Sequence, residues 1–339
     1  MFERQDWPQT LHAGAAVPVS VVPAVGPVLE RVLDDTFPLW HDGLNRASYG
    51  KFWAAQRRTA WGAAHLDRVA LQDGPHVVAS AKRYDLAFRI DGRHRRVLGL
   101  GAVFTAPAHR GRGAAKELVG RLIDTGEAEG YEFAALFSDI APTFYERLDF
   151  VPVPLSACRI EVDRKNGGPP AILVRSGDDR DIPAIAEISS TRGAGARLAI
   201  ERSEDFIRHA IARTRLLAGL GPPGLREVEF LVSEEGHQPV AYLVCVSHGG
   251  EWMIEDAGDR DPGGARLGAM LQVMLARHPG EALPHIRGWL PASLAPPQVR
   301  IAATTPTQEV LMIRPLKDRT LPLPPVSADQ VVYWHADHF

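Results

Sequence analysis

The sequence predicts a mixed α/β fold (an α+β mixed sheet) built twice, as two similar domains, each a mostly antiparallel mixed sheet flanked by helices. Three observations carry this. The 339 residues exceed the usual size of a single domain. Strands, a loop, an amphipathic helix and a short apolar strand follow one another over residues 76–138. A similar order returns after "RKNGGPPAIL", residues 164–173, where glycine and proline concentrate as in a linker. The expected division is therefore 1–165 and 166–339.

In chain order, a proline-rich leader precedes a helical stretch from about Val28 to Leu71, whose aromatics Trp40, Tyr49, Phe52, Trp53 and Trp61 suit a core. "HVVASAKRYDLAFRIDGRHRRVLGLGAVFTA", 76–106, reads as three strands, with the turn Asp91–Gly92 between the second and the third. Beyond the loop "HRGRG", Ala115, Leu118, Val119, Leu122 and Ile123 recur at helical spacing and form one apolar stripe. "FAALFS", 133–138, is apolar throughout, as expected of a strand covered on both faces, and "APTFYERLDF" is a short helix with proline near its start. Strand, helix and strand then make a right-handed crossover, and "FVPVP" and "CRIEVDR" are further strands. In the second half, helices near 181–190 and 203–217 precede strands at "EVEFLVS", "PVAYLVCVS" and "EWMIEDA". The helix "ARLGAMLQVMLARH" follows, then "HIRGWL" and "EVLMIRPL".

Charge and cysteine content narrow the function classes. With 38 basic against 41 acidic residues and a net charge of -3, nothing favours nucleic acid or an anionic membrane as partner. Cys158 and Cys245 stand far apart without metal spacing, which fits a reduced compartment, and no metal site is expected. The start carries acidic residues instead of a basic leader, and the apolar run 17–29 is cut by Pro18, Pro23 and Pro27. A cytoplasmic protein without a membrane span is the expectation.

The loop holds the chemistry. The first turn of a helix presents backbone N–H groups without internal partners, at the positive end of its dipole. Gly111 and Gly113 let the chain curl close to a ligand, and Arg110 and Arg112 supply charge-assisted bonds, so a diphosphate suits the site. A solvated basic turn that merely precedes a helix is the bland alternative. A Walker loop would require Lys and Ser or Thr where Ala114 and Ala115 stand, and a dinucleotide fingerprint would require a parallel sheet at the chain start. The corresponding second loop, "GDRDPGG", is acidic and would repel phosphate.

Arg110, Gly113 and Ala115 resemble the R/Q-x-x-G-x-G/A signature of the GNAT superfamily of acyl-CoA-dependent N-acyltransferases. "SDIAPTFYERLDF" resembles that family's N-x-x-A-x-x-x-Y-x-x-x-G-F at Ala141, Tyr145 and Phe150, with Ser138 in place of Asn and Asp149 in place of Gly. These motifs cover about residues 97–155. The resemblance implies tandem GNAT-like domains, catalytic in 1–165 and degenerate in 166–339, similar to tandem GNAT proteins of the enhanced intracellular survival type but without their third domain. It implies that Val103, Phe104 and Thr105 bind the pantetheine arm of acetyl-CoA. The diphosphate falls on Arg110, Gly111, Arg112, Gly113, Ala114 and Ala115, with Ser138, Ala141 and Tyr145 completing the site and CoA as product. An N–H near Phe104 would polarise the carbonyl, and Tyr145 would protonate the leaving thiolate. Many relatives carry a glutamate base at the position of Gly99. Without it, one candidate base, implied by the resemblance to those tandem GNAT proteins, is the carboxyl group of Phe339, whose tail "VVYWHADHF" is apolar and aromatic. The alternatives are an amine arriving neutral through water and, for the tail, simple packing on the second domain. His109 and Asp139 flank the motifs without an assigned role, and His335, Asp337 and His338 crowd too closely in sequence to suggest a metal. The implied acceptor is a small-molecule or peptide primary amine, and self-association as a homo-oligomer stays open. The rival class is a non-catalytic acyl-CoA-binding sensor, against which Tyr145 argues.

Overall fold

The computed structural model describes residues 19–140, 142–163, 172–278, 283–291, 294–316 and 326–339; the leader, most of the linker at 164–173 and Ala141 lie outside them. The described chain begins with β1 (Ser20–Pro23), α1 (Gly26–Trp40), α2 (Arg46–Arg58) and α3 (Ala60–His65). Asn45 and Thr59 cap the last two, accepting from the N–H groups of Ser48 and Gly62. The helical reading of 28–71 runs too far, because Leu66–Asp73 is strand β2 and pairs along its whole length with the next strand. Arg68 and Ala70 are buried with Leu66 at every second position, and that ladder outweighs local helical spacing.

The 76–106 stretch makes two long strands instead of three, β3 (His76–Ile90) and β4 (Arg93–Thr105). Asp91 and Gly92 turn between them with φ of +48° and +75°, as a two-residue hairpin requires. The third strand of the meander is β2. Next come α4 (Ala114–Ala128) and β5 (Phe133–Ser138), the latter parallel to β4 as the crossover predicts. Leu118, Val119, Leu122 and Ile123 bury the stripe of α4 against Leu98, Leu100 and Leu136, each side chain contributing roughly 1.5–3 kcal/mol.

The chain continues through α5 (Thr143–Glu146), β6 (Val151–Val153), β7 (Ser156–Val162), β8 (Leu173–Ser176), α6 (Ile182–Gly193), β9 (Leu198–Ile200) and α7 (Glu204–Leu220). Then come β10 (Glu227–Glu235), β11 (Gln238–His248), β12 (Glu251–Asp259), α8 (Ala265–Arg277), β13 (His285–Gly288), β14 (Val299–Pro306), β15 (Val310–Pro315) and β16 (Val331–Val332). The first sheet runs β1-β2-β3-β4-β5-β15-β6, with β9 on β3 and β16 on β9, and the second runs β14-β7-β13-β12-β11-β10-β8. A division near 165 cuts the chain but not the sheets. β15 from the second half lies between β5 and β6, and β7 from the first lies between β13 and β14. The two halves therefore share their hydrogen-bond ladders.

Candidate active site

β4 and β5 pair from Val97↔Phe133 to Leu100↔Leu136 and then part, β4 continuing beside β3 and β5 beside β15. The parting leaves an opening in the middle of the sheet. At its mouth β4 bulges: the register to β3 slips between Lys82↔Gly101 and Ser80↔Phe104, and Ala102 takes a φ of +46°. In an antiparallel ladder each residue turns both backbone groups to one side. Ala106 N–H donates to Val78 O, so, counting in twos, Phe104 faces Ser80 of β3 while Val103 and Thr105 face the opening. This corrects one expectation: the Phe104 amide points into the ladder, because the bulge shifts the alternation, and the amide aimed at the opening is that of Val103.

The loop after β4 is exposed. Gly111 and Gly113 hold φ of +72° and +84°, and Gly113 is the N-cap of α4 with no side chain capping the first turn. Arg110 donates from Nε to Thr105 O at 3.3 Å, and its guanidinium lies 6.0 Å from the centre of the Phe104 ring. The second sheet shows what this geometry accepts. Gly264, with φ +71°, likewise caps α8, but there Asp259 accepts from the N–H groups of Arg266 (2.8 Å) and Leu267 (3.0 Å), and Asp261 from that of Ala265 (3.2 Å). The second anion seat is filled by the chain's own carboxylates. In the first, counting back from the N-cap glycine, the equivalent positions carry Ala108 and Arg110.

Tyr145 is buried on α5 beside Phe144 and Phe150, and burial, aided by Asp139, pushes its phenol up to about 12. Ser138 is spent locally, its hydroxyl donating to Ile140 O at 2.9 Å. Asp149 takes the left-handed backbone that glycine would supply, with φ +61°.

The C-terminal tail bridges both sheets. β16 runs parallel to β9, and Arg213 donates to the carbonyls of Ala336 (2.9 Å) and His338. His335 Nδ1 lies 2.8 Å from Glu255 Oε2, and Asp337 pairs with Arg202 at 3.0 Å. Phe339 then reaches the opening of the first sheet, its ring 5.3 Å from that of Tyr84 and 5.4 Å from that of Phe137. A Cβ at Gly99 would meet Leu86 at 2.7 Å, Tyr84 at 3.0 Å and the Phe339 ring at 3.1 Å, so a side chain at this position requires its neighbours, the tail ring among them, to shift. A Cβ at Gly101 would stand 3.0 Å from Phe339 O and 3.1 Å from its carbonyl carbon. Gly101→Ala should therefore lower stability by about 1–3 kcal/mol in denaturant unfolding, since main-chain atoms of the tail must move. Gly120→Ala on α4, where an added Cβ meets open space, is the control and should be neutral or stabilising.

A cavity of about 630 Å³ opens here; Trp40, Trp53, Lys82, Tyr145, His338 and Phe339 are among the residues that line it. His338 is held neutral by burial, its imidazole pushed down to about 3.

Residues 30–153 match the family model described as an acetyltransferase (GNAT) domain. The first half of the chain carries a GNAT domain. Among solved structures, a GCN5-related N-acetyltransferase from Kribbella flavida is similar at 16% identity and a TM-score of 0.64, covering 88% of this chain and 71% of that one. Eis1 from Mycobacterium abscessus is similar at 13% identity and a TM-score of 0.54, over 88% and 74%. Saccharomyces cerevisiae N-myristoyltransferase with bound myristoyl-CoA is similar at 11% identity and a TM-score of 0.51, over 91% and 87%. At these identities the likeness is one of fold. No curated protein sequence matches the chain.

GNAT domains are acyl-CoA-dependent N-acyltransferases, and their acceptors are amines. The structure brings Val103 and Thr105 to the opening, turns Phe104 toward β3, and brings Tyr145, Asp139 and Phe339 to one cavity with the cleft aromatics. Arg110 to Ala115 stand at the end of β4, His109 ends a short 3-10 turn before them, and Ala141 is outside the described residues. Not anticipated from the sequence were Arg68, Lys82, Tyr84 and Arg213, which also line the cavity. A usable signal existed in "GLG", since glycine at every second position of a strand leaves one face bare for a close backbone approach. Among the described residues no helix is long and apolar enough to cross a membrane.

Proposed function

We propose that the N-terminal half is the catalytic one and that it transfers acetyl from acetyl-CoA to a primary amine by direct attack, the second half being a copy that no longer binds the donor. The observation that carries this is the contrast between the two helix starts. The seat at α4 has glycines and arginines, whereas Asp259 and Asp261 occupy the one at α8.

When bound, acetyl-CoA supplies the thioester that the amine attacks. The amides of the first turn of α4, with Arg110 and Arg112, hold its diphosphate, and the backbone of Val103 and Thr105 bonds the pantetheine arm. The Val103 N–H stabilises the charge that develops on the carbonyl oxygen. Tyr145 donates its proton to the departing sulfur, and a phenol held near 12 keeps that proton ready at neutral pH. The carboxyl group of Phe339, over Gly101, takes the proton of the amine; deleting Phe339 should abolish transfer and spare CoA binding. The cavity beside the tail is the acceptor site.

Calorimetry with CoA tests the donor seat. Arg110→Ala and Arg112→Ala should each weaken binding by about 10-fold, the worth of one charge-assisted bond. Absence of CoA binding, or variants indistinguishable from the parent, would overturn the reading.

A further inference from the structure

Three strands meet in one row beside the tail. Arg68 of β2 stands directly opposite Lys82 of β3, and Lys82 directly opposite Gly101 of β4. Directly opposed residues share a face of the sheet, so the two cations lie side by side, next to the bare glycine over which Phe339 sits. Like charges placed this way repel, and burial makes the repulsion stronger. Arg68 is only 5% exposed. What it touches is neutral: the face of Trp53, 4.7 Å from the ring centre, and the Thr36 hydroxyl at 3.5 Å. Among the described residues neither Arg68 nor Lys82 has a carboxylate within ion-pair distance, Phe339 included.

A third cation completes the floor. Arg213 lines the same cavity, held in place by the carbonyls it bonds in the tail. Of the lining carboxylates, those of Asp42 and Asp139 lie at exposed positions, Glu309 is half-buried, and Glu255 is engaged by His335. Burial, together with Arg68 and Arg213, pushes the Lys82 ammonium down to about 7, with Asp42 opposing. The cavity thus has a positive floor and aromatic walls, and among the described residues none of its carboxylates stands at ion-pair distance from Arg68 or Lys82.

We propose that the acceptor of this GNAT domain is an amine whose own molecule carries an anionic group, carboxylate or phosphate, which binds on Arg68 and Lys82 while the amine faces Phe339 and Tyr145. This rests on the reading of the cavity as the acceptor site. The anion supplies the missing counter-charge, the walls of Trp40 and Trp53 favour an apolar or aromatic body between the two groups, and polycationic amines are disfavoured by the same floor.

The test uses two sets of probes on the full chain. With CoA bound, 4-methylbenzoate should bind about 10-fold more tightly than 4-methylbenzyl alcohol, and Lys82→Met should remove most of that preference. 4-Methylphenylphosphonate in the same assay distinguishes phosphate-type from carboxylate-type anions. With acetyl-CoA, 4-(aminomethyl)benzoate should show a kcat/KM about 10-fold above that of 4-methylbenzylamine, and the ratio should fall toward one in Lys82→Met. Equal binding of acid and alcohol, or a preference that survives Lys82→Met, would overturn the proposal. Transfer to both amines at equal kcat/KM overturns it while leaving the transferase reading intact. Preferential anion binding without transfer to any amine overturns the transferase reading and the acceptor assignment together.

Discussion

Tyr145→Phe should lower kcat for acetyl transfer by roughly 10²- to 10³-fold, the usual worth of a positioned general acid, while CoA affinity stays within about threefold of the parent. The substitution removes one oxygen from a ring that is already buried against Phe144 and Phe150, so packing is kept and the readout is chemical. Burial first, then Asp139, raises the phenol to about 12. A raised pKa means that the proton stays on Tyr145 at every pH below that value. The parent enzyme should therefore show no loss of kcat from this group between about pH 7 and 10, measured as CoA thiol release. A variant with undiminished kcat, or a parent whose rate falls with an apparent pKa near 10, would remove Tyr145 from the mechanism.

Arg202→Met should destabilise the protein by about 3–5 kcal/mol, because it strands two buried carboxylates. The Arg202 side chain is 3% exposed, that of Asp256 2% and that of Asp337 0%. Arg202 donates to both oxygens of Asp256 and pairs with Asp337 at 3.0 Å, and Tyr242 donates to Asp256 at 2.9 Å. Asp337 belongs to the tail and Asp256 to β12, so the guanidinium ties the tail to the second sheet. Without it the carboxylates repel and favour protonation, and the loss should shrink as pH falls from about 7 to 5. Urea unfolding of parent and variant at both pH values measures this. CoA affinity should be spared, since the donor loop shares no contact with Arg202, while transfer should fall with the position of Phe339. A variant as stable as the parent would mean that the tail is held by its apolar contacts alone.

Much of the local geometry of the proposed donor site was legible in the sequence because its signals are local. The stripe of α4, the glycines at positive φ, the two arginines and the tyrosine of α5 all lie within one crossover, where spacing alone predicts which face or turn each residue occupies. Boundaries were less legible where pairing overrode periodicity. Leu66–Asp73 continues a helical pattern but gains a complete ladder with β3, and the 76–106 stretch forms long strands because their partners are equally long. The expectation for Phe104 missed because a bulge turns amides by one residue, and a register slip leaves no mark in composition.

The chain by itself determined most of the elements, the glycine turn with its arginines ahead of α4 and the acidic turn ahead of α8, since helix stripes, glycine turns and the sign of a loop's charge are properties of neighbouring residues. Tertiary structure alone decided the exchange of β7 and β15 between sheets, the arrival of Phe339 over Gly101, and the row of Arg68, Lys82 and Gly101. Those depend on strands far apart in sequence coming into register, and register is set by the combined burial and hydrogen bonding of the whole sheet.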